Sequence, residues 1–292
     1  MPEETPLHGD ICLKVNSKRM QKISIIGLGW LGLPLARYLK SLGYSIKGSC
    51  TTEEKAALLK AEGLDTYAFK LDPHPIGRGF HSLFDTDILV VNIPPRSRTM
   101  PESFHPEQIK FLKALAQQHG VKKVIFVSST SVYPDLWQEA RESDFLDQNT
   151  AGSPSILQAE RLIWDSSDMD KTIIRFGGLL GVDRIPGKYF SGKSQVVGDS
   201  PVNYIHQQDA VAMISWIISQ GLWNEVFNGV APLHPARREV YEKNAEMMGF
   251  PTPLSYAEPG SPWKKVMADK ILSTGFEFLY PDPLDFSYRK EG

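Results

Sequence analysis

Short runs of β-branched and aliphatic residues alternate along this chain with stretches whose apolar positions recur every three or four residues. Ile23-Ser24-Ile25-Ile26 is the first such run, and it stops at a cluster of glycines, as a strand does. Leu31, Leu35, Leu39 and Leu42 follow at helical spacing, and Gly43 ends the pattern. The rhythm then repeats. Tyr44 to Gly48 reads as a strand, and Thr52 to Glu62, opening on Thr-Thr-Glu-Glu and closing on Gly63, as a helix. Asp87 to Asn92 reads as a fully apolar strand, about Pro106 to His119 as a helix, and Lys123 to Val127 as a strand. Ser155 to Trp164 and Gln208 to Ser219 read as helices, with strands at Lys171 to Phe176 and Val226 to Asn228. Strands this apolar need cover on both faces, so the alternation predicts a parallel sheet between two layers of helices.

Two stretches break the rhythm, 177–202 and 229–292; both are rich in Gly, Pro and aromatics. They are expected to form a small cap over the carboxyl ends of the strands. The main domain is then 21–176 plus 203–228, with 1–20 a tail. That tail has no apolar signal core, and no apolar run reaches the ~18 residues of a membrane helix, which makes the cytoplasm the expected location. A formal net charge of −2, with no basic or acidic block, argues against nucleic acid and membrane surfaces as partners. Cys12 and Cys50 cannot make a disulfide framework, and without a CxxC or HExxH pattern no metal site is expected. A small-molecule substrate and a monomer or homodimer are expected.

Gly27-Leu28-Gly29-Trp30-Leu31-Gly32 follows the first strand and opens the first helix, the context in which a G-x-G-x-x-G pattern signals a dinucleotide site. A Cβ at the first glycine would block the tight turn. One at the second would hold a pyrophosphate away, and the third glycine lets helix and strand approach. The candidate cofactor-binding residues are Gly27, Gly29, Trp30, Leu31 and Gly32, then Ser49, Thr51 and Thr52 after the second strand, and Asn92 and Pro94 at the end of the strand over 87–92. An NAD site usually carries an acid about 20 residues beyond the fingerprint, to bind the ribose 2′-hydroxyl. Here Gly48-Ser49-Cys50-Thr51-Thr52 is neutral, with Lys55 one turn further. The expected cofactor is NADP or NAD; the missing carboxylate tips the balance to NADP, although no arginine is obviously placed to clamp a 2′-phosphate. The fold expected is a Rossmann-type doubly wound parallel sheet with a small C-terminal substrate-binding cap.

Ser128-Ser129-Thr130-Ser131-Val132-Tyr133 ends the strand over 123–127, Arg175-Phe-Gly-Gly-Leu-Leu-Gly181 ends and follows the strand over 171–176, and Val202-Asn-Tyr-Ile-His206-Gln-Gln-Asp209 comes later. In order and spacing, Ile23 to about Asp209 resembles the extended short-chain dehydrogenase/reductase superfamily, including the NAD-dependent epimerase/dehydratase family. The Gly-Leu-Gly-Trp-Leu-Gly form, His234-Pro-Ala-Arg-Arg238 and the ending Gly275-Phe-Glu-Phe-Leu-Tyr280-Pro281 are similar to its atypical bacterial YeeZ-type branch. The resemblance implies an NAD(P)-dependent oxidoreductase or nucleotide-sugar epimerase/dehydratase acting on a small polar substrate, with Ser129 the substrate-facing hydroxyl. It also implies a tyrosine and a lysine one helical turn apart, about 25 residues after that serine, to protonate a carbonyl. The matching helix has Ser155 and Ala159 in those places. An alcohol is far too weak an acid to do the tyrosine's work.

Tyr133 is the candidate replacement donor, its alternative an aromatic wall beside the cofactor. Arg96 or Arg98 is a candidate contact for a phosphate or a substrate anion, and His206, Arg237 and Arg238 are candidate substrate contacts. Their alternatives are solvated loop arginines, a capping histidine and an exposed helix start. Tyr189-Phe-Ser-Gly-Lys193 has the letters of the missing pair, and Gly187 to Ser194 those of a Walker A loop. Both lie in a Gly-interrupted segment after the strand over 171–176, where neither chemistry has its required strand–helix setting. Loss of the Tyr/Lys pair also suits a non-enzymatic dinucleotide-binding redox sensor. A weaker third reading is a structural partner that uses the cap as an interface.

Overall fold

The computed structural model of the chain describes residues 20–96 and 99–288. The expected tail up to residue 19, Cys12 and Arg98 lie outside the described residues. In chain order the elements are β1 (Lys22–Ile26), α1 (Gly32–Ser41), β2 (Ser45–Cys50), α2 (Glu53–Ala61), β3 (Asp65–Asp72), β4 (His74–Gly77), β5 (Ile88–Val91), α3 (Phe104–Gln118), β6 (Lys123–Ser129) and β7 (Gln138–Ala140). There follow α4 (Pro154–Trp164), β8 (Asp170–Phe176), β9 (Gly178–Leu180), α5 (Pro186–Phe190), β10 (Tyr204–His206), α6 (Gln207–Gln220), β11 (Glu225–Gly229), α7 (Arg237–Met248), β12 (Lys264–Val266) and α8 (Asp269–Ser273).

Eight strands form one sheet in the order β4-β3-β2-β1-β5-β6-β8-β11. Every neighbouring pair is parallel except β3–β4, which closes one edge as an antiparallel return. Period-2 alternation explains the burial on both faces. Ile23, Ile25, Ile88, Val90, Ile125 and Ile174 enter one apolar layer with Leu35 and Leu39 of α1 and Ile214 and Ile217 of α6. Ile26, Leu89, Val91, Val124, Phe126 and Ile173 enter the other, with Ile109 and Leu112 of α3 and Ala159 and Ile163 of α4.

From β1 the chain builds outward through β2 and β3, then returns to the opposite side of β1 and builds outward again through β5, β6, β8 and β11. Strand order therefore reverses between β1 and β5. Helices leave β1 and β5 toward opposite faces there, opening a crevice at their carboxyl ends.

The structure adds elements to the sequence expectation. Asp65–Asp72 is a strand, and its return His74–Gly77 extends the sheet by one more. Within 229–292, read as irregular, α7 is a regular helix of 12 residues that ends at the left-handed Gly249. The short parallel pairs β9–β10 and β7–β12 fasten the later segments to the main sheet's loops. Beneath those segments lie two small apolar clusters, one around Leu180, Ile185 and Phe286, the other around Val202, Val240 and Tyr241. Among the described residues no helix is long and apolar enough to cross a membrane, and no group of three His, Cys, Asp or Glu could hold a metal ion.

Candidate functional site

At the end of β1 the chain turns through Gly27 with φ +106°, where a Cβ would sit 2.3 Å from the Asn92 carbonyl oxygen. Gly32 is equally closed, its Cβ position 2.1 Å from Gly27 O. Gly29 differs, because nothing lies within 4 Å of where its Cβ would be. The protein's own packing thus demands glycine at the first and third positions and leaves the second facing open space. That is the room a pyrophosphate needs at the N-terminus of α1. Three side chains brace the loop. Ser49 Oγ accepts from Gly27 N–H at 3.0 Å, Asn92 Nδ2 donates to Gly27 O at 3.0 Å, and Lys55 Nζ donates to Leu28 O at 2.9 Å.

The loop floors a two-lobed cleft at the crevice. A lobe of about 290 Å³ on the β6 side is lined by Trp30, Leu31, Asn92, Pro94, His105, Ser129 and Arg184, among others. A lobe of about 190 Å³ on the β2 side is lined by Ser49, Thr51, Lys55, Lys70, Arg96 and Gln108, among others. Gly29, Asn92, Ile93 and Pro94 line both and so join them. Among the described residues no carboxylate lines either lobe; the charged side chains on the walls are Lys55, Lys70, Arg96 and Arg184.

Most of the expected cofactor residues meet here. Thr52 does not line either lobe: it caps α2, its hydroxyl accepting from Lys55 N–H. Arg96, expected at a phosphate or a substrate anion, lines the β2 lobe, with a left-handed backbone at φ +51°. Ser129 lies on the wall of the β6 lobe, and its hydroxyl oxygen accepts from Ser131 N–H at 3.1 Å. That bond leaves the hydroxyl proton available for a substrate oxygen.

Tyr133 is not in the cleft. Its ring is fully buried, and its hydroxyl donates to Asn228 Oδ1 at 2.9 Å and accepts from Arg175 Nη1 at 2.8 Å. Burial pushes the phenol up to about 12, against the pull of Arg175, which makes it a poorer acid than an exposed tyrosine. The residue is one link in a polar chain beneath the cleft. Ser128 Oγ donates to Glu160, Glu160 holds Arg175 in a bidentate pair at 2.7 and 3.0 Å, and Arg175 reaches Tyr133. Ser155 is half-buried in the first turn of α4, and Ala159 is core, so neither stands in for the absent proton-transfer pair.

His206, expected at the substrate, caps α6. Nδ1 accepts from Gln208 N–H, Nε2 meets Ser287 O at 2.9 Å, and the ring packs on Tyr280. Arg237 and Arg238 open α7 outside both lobes, and Arg238 lies over the Tyr256 ring at 4.1 Å. Tyr189 is an exposed residue of the five-residue α5, and Lys193 lies beyond a left-handed Gly192, so the two share no helical face.

Two residues on the wall of the β6 lobe escaped the sequence reading. Arg184 stacks its guanidinium on the Trp30 ring at 4.1 Å, while the indole Nε1 donates to Asp183. This joins the glycine loop to the segment after β9. Among the described residues the Arg184 side chain has no hydrogen bond or ion pair. His105 is the second. It is buried at the start of α3, its ring lies near that of Phe126, and its Nδ1 is 3.3 Å from Gln108 Oε1. Burial pulls its pKa down from the ordinary histidine value, against the Gln108 hydrogen bond.

No protein-family model matches the chain. Protein YeeZ of Escherichia coli strain K12 is 31% identical over 269 residues, covering 91% of this chain and 98% of that protein. The chain belongs to the YeeZ family. Solved structures of low identity share this fold. A short-chain dehydrogenase/reductase superfamily protein of Agrobacterium tumefaciens with bound NAD superposes with a TM-score of 0.70 at 17% identity, covering 90% of this chain and 94% of that one. A human epimerase family protein with NADPH superposes with a TM-score of 0.67 at 17% identity, covering 90% and 96%.

Proposed function

We propose that this YeeZ-family chain binds a nicotinamide dinucleotide along the two-lobed cleft. On this reading it is an oxidoreductase, or an enzyme like the nucleotide-sugar epimerases and dehydratases, acting on a small polar substrate. The observation that carries the reading is Gly29, the one fingerprint glycine that protein packing does not require. By Rossmann order the adenosine half belongs to the β2 lobe and the nicotinamide half to the β6 lobe. Backbone N–H groups around Gly29, Trp30 and Leu31 would hold the pyrophosphate, with Asn92 and Pro94 beneath it and Ser49 and Thr51 at the ribose. When bound, the dinucleotide supplies a hydride acceptor or donor. Ser129 then orients a substrate oxygen, and Arg184 offers its unspent donors to a polar or anionic substrate group. Lys55, Lys70 and Arg96, in a lobe with no carboxylate, support NADP over NAD.

Calorimetric titration with NAD, NADH, NADP and NADPH tests the reading, followed by a turnover screen on carbonyl compounds and sugar nucleotides. Binding is expected, tighter for the phosphorylated pair, and Gly29→Trp is expected to abolish it. Absence of binding to all four sinks the proposal. A second reading, a redox sensor without turnover, is favoured by Ser155 and Ala159 at the tyrosine and lysine positions. It predicts strong discrimination between oxidised and reduced forms and a blank turnover screen.

A further inference from the structure

We infer that His105 is the acid–base group of the cleft, held in the tautomer that presents Nε2 as a bare acceptor for a substrate hydroxyl proton. The inference rests on the dinucleotide reading above. It starts from Leu71, whose backbone carbonyl can only accept. Gln108 Nε2 donates to that oxygen at 2.9 Å, which fixes the amide the other way round at its far end. Gln108 Oε1 is therefore an acceptor, and the partner it faces at 3.3 Å, His105 Nδ1, must carry a proton. A neutral imidazole has one N–H, so Nε2 keeps its lone pair. Among the described residues Nε2 has no hydrogen-bond partner, and His105 lines the lobe that also holds Ser129 and Arg184.

The surroundings keep the ring neutral. Phe126 of β6 lies beside it, it sits in the first turn of α3 at the helix's positive end, and among the described residues the charged groups on the cleft walls are all cations: Arg184 in the same lobe, Lys55, Lys70 and Arg96 in the other. Glu160, behind Ser128, is already paired with Arg175. Burial lowers the histidine's pKa, in the same direction. In the oxidative direction an alcohol O–H bond breaks, an Nε2–H bond forms, and the ring becomes imidazolium. The substrate carbon loses a hydride, two electrons and one proton, for which an oxidised nicotinamide dinucleotide is the acceptor. In reverse the imidazolium protonates the carbonyl oxygen. Thus a histidine on α3 would do what the missing pair on α4 does not.

Imidazole ¹⁵N NMR on the histidine-labelled full chain tests this without needing the substrate. The His105 resonances are identified as those lost in His105→Asn. Should that variant not fold, Gln108→Leu identifies them by releasing the ring to its Nε2–H form. The expected spectrum near pH 7 has a protonated Nδ1, a pyridine-type Nε2, and a titration midpoint below that of an ordinary histidine. Saturating NADP is expected to move the Nε2 resonance. A protonated Nε2, or a His105 signal unmoved while calorimetry shows the dinucleotide bound, overturns the inference alone. Failure of every dinucleotide to bind overturns the underlying functional reading and the chemistry assigned to His105 with it. For any substrate found, His105→Asn is expected to lower kcat about 10²–10⁴-fold with dinucleotide affinity within about twofold.

Discussion

At the scale of single residues, the fingerprint glycines divide by what excludes a side chain. Gly27→Ala forces an L residue to φ +106° and into the Asn92 carbonyl, so it is expected to cost more than about 2 kcal/mol of stability. Gly29→Ala meets nothing within 4 Å and is expected to leave the urea midpoint nearly unchanged while weakening dinucleotide binding at least tenfold. If calorimetry and denaturation do not separate the two variants, the open space at Gly29 has no ligand to serve. Tyr133 makes a second contrast. Tyr133→Phe leaves Arg175 Nη1 and Asn228 Oδ1 without a partner, a buried loss expected to cost about 1–3 kcal/mol with dinucleotide affinity intact. Motif position put Tyr133 near the cleft, but the 3₁₀ turn at Thr130–Val132 carries it into the core. His105 had a fainter signal: with Gln108, it puts polar groups at i and i+3 on the face of α3 that also holds Ile109, Leu112 and Ala116. Only the tertiary position of Leu71 shows what that pair is for.

At the scale of elements, the strands that read clearly are those buried on both faces. Ile88–Val91 is apolar at every position, three of its four residues are β-branched, and the run ends at Asn-Ile-Pro-Pro, which marks it as a strand. Asp65–Asp72 sits near the edge with acids at both ends and alternate residues half-exposed, so its signal is weaker. The three-residue strands β7, β9, β10 and β12 owe their form to partners up to 126 residues away, as in Lys264 with Gln138, and nothing local announces them. The glycine turn was legible because its chemistry is local; the polar chain from Ser128 to Asn228 was not, because it joins β6, α4, β8 and β11. That chain ties the carboxyl ends of three neighbouring strands under the β6 lobe. Arg175→Met leaves Glu160 buried and unpaired and is expected to destabilise by about 3–5 kcal/mol in urea titration. Pairing it with Glu160→Leu is expected to recover part of that loss, and full additivity of the two changes would show that the pair is not coupled.

At the scale of the whole molecule, a cleft walled by cations and a core that buries neutral histidines have a common consequence in pH. His105 and His234 both have pKa values pulled below the ordinary histidine value of about 6.5, in each case first by burial. The unfolded chain therefore takes up protons below about pH 6.5 that the folded chain refuses. Stability conferred by these groups is complete above that pH and is lost as pH falls toward the folded-state values. Buried Asp209 and half-buried Glu142 act with the opposite sign. Burial raises their pKa values, so the fold gains stability as pH falls through those raised values toward the ordinary carboxylate range. The total profile is a difference of these effects, but the histidine part can be isolated. Urea midpoints measured between about pH 5 and 8 are expected to fall more steeply below about pH 6.5 for the unaltered chain than for His105→Asn, with the two curves running parallel above it. Curves that stay parallel through the acid range would mean that His105 titrates alike in both states, and the ring would then not be the sheltered neutral base on which the chemistry of this cleft depends.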